Sequence, residues 1–72
     1  MKITYDREVD ALYIQFRDAP ARTQHLAEGI AADRDADGRL AGLEILDAAT
    51  RIGDPEFFRH VSFENLASRQ SA

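Results

Sequence analysis

The densest group of ionisable side chains in this 72-residue chain is Asp6, Glu8 and Asp10, inside the pentad Asp6-Arg7-Glu8-Val9-Asp10. Carboxylates this close together do acid/base work when burial drives their pKa values apart. The pentad has instead the polar make-up of a hairpin connection, where Asp6 or Asp10 accepts hydrogen bonds from nearby backbone N–H groups. A solvated turn is the preferred reading. Asp33, Asp35 and Asp37 form a second group. Counted from Asp33, Gly38 falls sixth and Glu44 twelfth, the spacing of a calcium loop. Such a loop lies between two helices, whereas Leu40 to Leu46 is β-like and the segment before Asp33 is not helical. Calcium therefore ranks below a plain turn.

The remaining chemistry-bearing residues are scattered. His25 and His60 lie far apart in sequence, neither at metal-ligand spacing from a second His, and the chain has no Cys. Ser62, Ser68 and Ser71 all fall in the tail, outside any nucleophile-elbow pattern, and Ser62 reads as a helix cap. Gly29, Gly38, Gly42 and Gly53 are dispersed and form no phosphate loop, so no cofactor is implied. Glu44, between Leu43 and Ile45, is the carboxylate to watch. On a central strand it needs Arg or backbone donors if buried, and an interfacial ion pair is the use that fits it.

The elements that must position these groups are short strands. The first spans Lys2–Tyr5 and the second Ala11–Arg17, with Leu12, Ile14 and Phe16 facing the core and Ala11, Tyr13 and Gln15 on the other side. Asp18-Ala19-Pro20-Ala21 breaks the run, because Pro lacks the N–H that a ladder needs. A third strand is expected within 22–33, with a bulge at Gly29. Asp37-Gly38 marks a tight hairpin, and Leu40–Leu46 forms a strand that is apolar on both faces. Asp54-Pro55-Glu56 predicts a short helix over about 55–60. Ser62 predicts a further helical turn running to Ala67. The fold class is α+β: a small antiparallel β-meander of about four strands over 2–48, a helical tail over 49–67 docked on the sheet, and a frayed end at 68–72.

Length and composition bound what such a domain does. The chain has room for a single domain. Nine basic against thirteen acidic residues give a formal charge of −4, which argues against direct nucleic-acid binding. The absence of Cys excludes disulfides and fits a reducing compartment. No stretch reaches the roughly 20 apolar residues of a membrane span, and the first residues carry no apolar leader, so a cytoplasmic, non-membrane protein is expected. A chain this short buries only about 60% of its unfolded surface, and without disulfides its remaining staple is a partner subunit. The two-sided apolar strand at Leu40–Leu46 points the same way, to a homodimer.

Two segments together carry a family resemblance: Tyr5-Asp6-Arg7-Glu8-Val9-Asp10-Ala11-Leu12-Tyr13-Ile14, and Gly38 to Ala48 with Gly42-Leu43-Glu44-Ile45-Leu46-Asp47-Ala48 at its centre. Over roughly residues 2–52 the chain resembles a family of short, uncharacterised prokaryotic proteins of the domain-of-unknown-function type. It departs at Ala31-Ala32-Asp33, where the family pattern more often has a β-branched residue before the Asp. The resemblance implies a small β-meander with a C-terminal helix and no established activity. It also implies an antitoxin role for some members, which lie beside small toxin-like genes. The positions that match the pattern are Asp6, Asp10, Leu12, Tyr13, Ile14, Gly42, Glu44 and Asp47.

The function expected is therefore a non-enzymatic interaction module, homodimeric and antitoxin-like, that binds a small basic partner protein. Its interface candidates are Tyr13, Leu43, Glu44, Ile45 and Leu46, with Asp6, Asp10, His25 and Asp47 as polar-site candidates and no catalytic or metal-binding residue. Two alternatives stand beside it. One is a small hydrolase or isomerase in which Asp6, Asp10 or Glu44 meets His25 across a dimer cleft. The other is a calcium-binding regulatory domain using Asp33, Asp35, Asp37 and Glu44.

Overall fold

A computed structural model describes residues 1–66. Five strands, β1 (Lys2–Asp6), β2 (Ala11–Gln15), β3 (Arg22–Ala27), β4 (Ile30–Arg34) and β5 (Leu40–Leu46), form one antiparallel sheet in the order β1-β2-β5-β4-β3. A one-turn helix, α1 (Ala48–Ile52), and a 3-10 turn at Phe57–Arg59 follow. The α+β class expected from the sequence holds. No described helix is long and apolar enough to cross a membrane.

The segment 22–33 is two strands rather than one with a bulge. Glu28 and Gly29 make a two-residue turn, with Gly29 at φ 75°, and Ala27 pairs with Ile30. Glu-Gly lacks the Asn or Asp that marks most tight hairpins. The register shift in this hairpin falls earlier, between His25 and Ala27. The Asp37-Gly38 signal is met: Gly38 takes φ 83°, and the Gly38 N–H donates to the Asp35 carbonyl at 3.0 Å.

Strand β2 stops at Gln15, not Arg17. The Phe16 and Arg17 N–H groups both donate to the Ala41 carbonyl, at 2.8 and 3.1 Å, a bulge that ends the alternation. Phe16 is 39% exposed and not in the core, whereas Leu12 and Ile14 are half-buried.

Antiparallel register sorts the other side chains onto two faces. Ile3, Ile14, Leu43, Ala32 and Gln24 form one cross-strand row, and Tyr5, Leu12, Ile45, Ile30 and Ala27 the next, giving a face that is apolar up to Gln24 on the β3 edge. On the opposite side the rows are Thr4-Tyr13-Glu44-Ala31-His25 and Lys2-Gln15-Gly42-Asp33-Thr23, a polar face.

The tail covers only one end of the apolar face. The Phe57 and Phe58 rings pack on Tyr5 with centroids 4.8 and 5.1 Å away. The helix expected over 55–60 is only the 3-10 turn, because the Asp54 carboxylate takes the Glu56 N–H at 2.9 Å and closes a turn on itself. Ser62 caps nothing: residues 61–66 have no regular structure, and the Ser62 hydroxyl donates to the Glu64 carboxylate at 3.3 Å. Ala67 and the frayed end expected at 68–72 lie outside the described residues.

Candidate functional site

Two tyrosine–aspartate pairs hold the sheet together, one at its end and one across its polar face. The β1–β2 turn brings Asp10 back beside Tyr5, whose hydroxyl donates to Asp10 Oδ1 at 2.5 Å. The same oxygen accepts the Ala49 N–H at 2.9 Å, and the Asp10 carbonyl accepts the Ala48 N–H at 3.1 Å. Asp10 thus caps α1 from a distant turn. It does so at φ 56°, a left-handed conformation that Asp tolerates better than most residues. The Tyr5 hydroxyl, then the Ala49 N–H, hold the Asp10 carboxyl below the usual carboxylate range, and the same bond raises Tyr5. A carboxylate so stabilised as an anion is no general acid at neutral pH.

Opposite Asp10, Asp47 also sits at a positive φ, 53°, and its carbonyl accepts the Arg51 N–H at 2.9 Å as the chain enters α1. Asp6 is likewise a turn residue: its carboxylate accepts the Glu8 N–H at 3.0 Å. The turn reading of the acidic pentad holds for both Asp6 and Asp10.

On the polar face, Tyr13 lies across β5 and donates to Asp33 Oδ2 on β4 at 2.6 Å, while Thr23 on β3 donates to Asp33 Oδ1 at 2.7 Å. The ring passes directly over Gly42, where a Cβ would collide with the tyrosine hydroxyl. Glycine is required here by close approach, not by its backbone angle. The bond to Asp33, with desolvation second, pushes the Tyr13 phenol up to about 12, and the Tyr13 and Thr23 bonds lower Asp33.

The acids proposed for calcium are engaged elsewhere. Asp35, which is buried, accepts the Asp37 and Arg39 N–H groups, each at 2.9 Å, and pairs with Arg17 at 3.0 Å. Asp33 is held by Tyr13 and Thr23 on the polar face. Among the described residues no three His, Asp or Glu side chains converge as a metal ion would need. The enzyme alternative draws its groups from two subunits, and within one chain they stand apart: Asp6 and Asp10 flank the β1–β2 turn, while His25 is exposed on the opposite edge strand. Glu44 shares a row with His25, but Ala31 stands between them.

The five interface candidates divide between the faces. Leu43 and Ile45 belong to the apolar face; Tyr13, Glu44 and Leu46 belong to the polar one, where Glu44 is exposed and forms no ion pair among the described residues. The sequence reading did not single out Thr23, or Asp33 as the partner of Tyr13. The one signal for them was Gly42 beside a large apolar strand, a glycine that needs a reason.

The apolar face holds a concavity. A groove of about 720 Å³ runs between the tail and the first hairpin, floored by Ile3, Tyr5, Leu12 and Ile14 and walled by Phe57 and Phe58 and by the tail residues His60, Val61 and Ser62. Phe58 is flanked by the guanidinium groups of Arg7 and Arg59, 5.3 and 5.6 Å from its ring centre. Beyond the groove, Leu43, Ile45 and Ile30 remain partly open to solvent.

No curated protein and no solved structure matches the chain. The model of the family described as "Protein of unknown function (DUF2283)" matches residues 2–48, the whole sheet together with the start of α1, and both tyrosine–aspartate pairs lie within it. The chain belongs to this family.

Proposed function

We propose that the protein is a homodimeric interaction module whose two subunits pack apolar face to apolar face. The observation that carries this reading is the missing interior: among the described residues no large side chain is fully buried, and the buried apolar set is Ala31, Ala32, Ala41 and Ala48. Four alanines do not supply the apolar burial that holds a domain together.

The polar face supports a non-enzymatic role. Its tyrosine and aspartate titrate away from neutrality and satisfy each other, which suits a structural use of the pair. A face-to-face dimer turns two such faces outward, each chain bearing a formal charge of −4. That surface suits a small basic partner protein of the kind an antitoxin neutralises. The test is the solution mass by light scattering coupled to size exclusion, at several concentrations. A dimer of about twice the 8.1 kDa chain mass is expected; a monomer that persists at high concentration overturns the reading.

A further inference from the structure

Past the 3-10 turn the chain carries three largely exposed apolar side chains: Val61, at the rim of the groove, is 71% exposed, and beyond it Phe63 is 80% and Leu66 74% exposed. They follow directly from the two phenylalanines that pack on Tyr5, so the tail leaves the sheet at the groove over β1 and β2. The open part of the apolar face, Leu43, Ile45 and Ile30, lies on the next two strands. Those strands lie about 5 to 10 Å further across the sheet. Six extended residues reach about 20 Å. The segment 61–66 starts on its own sheet, where Val61 and Ser62 line the groove with Ile3, Tyr5, Leu12 and Ile14, and its remainder is long enough to reach the open rows yet leaves Phe63 and Leu66 exposed.

We propose that residues 63–66 are exchanged between subunits: each tail end lies across the apolar face of a second copy of this chain and inserts Phe63 against the partner. This rests on the homodimer reading and deepens it. In a two-fold dimer each subunit presents the same open rows and the same exposed tail end, so one exchange satisfies both copies. The polar face is excluded as the landing site by its composition, since Glu44, Asp33 and Thr23 offer no apolar bed.

The experiment is an isotope-filtered nuclear Overhauser measurement on a mixture of labelled and unlabelled full-length chains, with the mass followed in the same samples. Contacts between the Phe63 ring and the methyl groups of Leu43, Ile45 or Ile30 are expected in the interchain-filtered spectrum. A dimer whose Phe63 contacts are all intrachain, or absent, overturns the exchange and leaves the homodimer standing; a monomer overturns both. As a second readout, Phe63→Ser is expected to raise the dimer dissociation constant at least about tenfold. The strand register should remain intact, as judged by amide exchange in β2 and β5. A dissociation constant unchanged by Phe63→Ser removes the proposal even if the chain is dimeric.

Discussion

The two faces of the sheet are built from the same strands and differ in how they are finished. On the polar side, Thr23, Asp33 and Tyr13 tie β3, β4 and β2 together over Gly42 of β5, and every one of these groups finds its partner within the chain. On the apolar side the row of Ile14, Leu43 and Ala32 is covered unevenly: the tail reaches Ile14, Ala32 is buried, and Leu43 between them stays partly open. One side thus fixes register with directional bonds, while the other carries the apolar area that a sheet this small cannot bury alone. Several family-pattern positions, among them Asp10, Tyr13 and Gly42, belong to the self-contained constructions. They mark how the sheet is held.

Leu43 and Glu44 are neighbours in sequence and point to opposite faces, so they give the sharpest way to break the comparison. Leu43→Asp places an unpaired charge on the apolar face and is expected to raise the dimer dissociation constant by more than about a thousandfold. Glu44→Gln is expected to leave it within about threefold. Equal effects in sedimentation equilibrium would mean that the faces do not divide the work in this way.

The next effects concern the locks. Asp10→Ala removes the acceptor of Tyr5 and of the Ala49 N–H and leaves alanine in a left-handed conformation, so a large fall in Tm is expected, with α1 detached. Asp10→Asn, which keeps an oxygen acceptor and tolerates the backbone angle, should lose less. Gly42→Ala acts on the polar face alone: the new methyl displaces the Tyr13 ring. A loss of about 1–3 kcal/mol is expected in urea unfolding. Tyr13→Phe should cost less than Gly42→Ala and should make that substitution easier to accommodate, a non-additive pair that a double-mutant cycle reads directly.

How far the sequence disclosed this arrangement depended on whether a signal was local. The strand pattern of Leu12 and Ile14, the Asp37-Gly38 turn and the acidic pentad are short-range features, and each stands where the residues placed it. The Glu28-Gly29 hairpin was read as a bulge, because glycine alone does not say whether a strand kinks or reverses. The tail misled for a similar reason: Asp54-Pro55 has the composition of a helix start, yet the Asx turn it forms leads only into three residues of 3-10 helix. Tyr13, Gly42 and Asp33 come from three different strands, and their meeting follows from the strand order. Nothing along the chain announces that β5 returns to lie between β2 and β4.

The smallest effect expected is the share of the pH dependence that the polar lock contributes. The Tyr13 phenol is raised to about 12, above the ordinary value of 10.0, chiefly by its bond to Asp33. A group raised on folding contributes stability that is fully present below its unfolded pKa and is lost as pH climbs through the folded one, here between about 10 and 12. Asp33 is lowered, so its contribution is present above its unfolded pKa and is lost as acid carries the pH down through the folded value, below the ordinary 3.8. Asp33→Asn should therefore shallow both limbs of the stability profile, leaving the part that Tyr5, Asp10 and Asp35 contribute, and return the Tyr13 absorbance titration toward the ordinary phenol range. Tyr5, whose acceptor is Asp10, should titrate as before. A substitution at Asp33 that moved both tyrosines together would show that the two locks are one network, coupled through β2, and would erase the division between sheet end and sheet face.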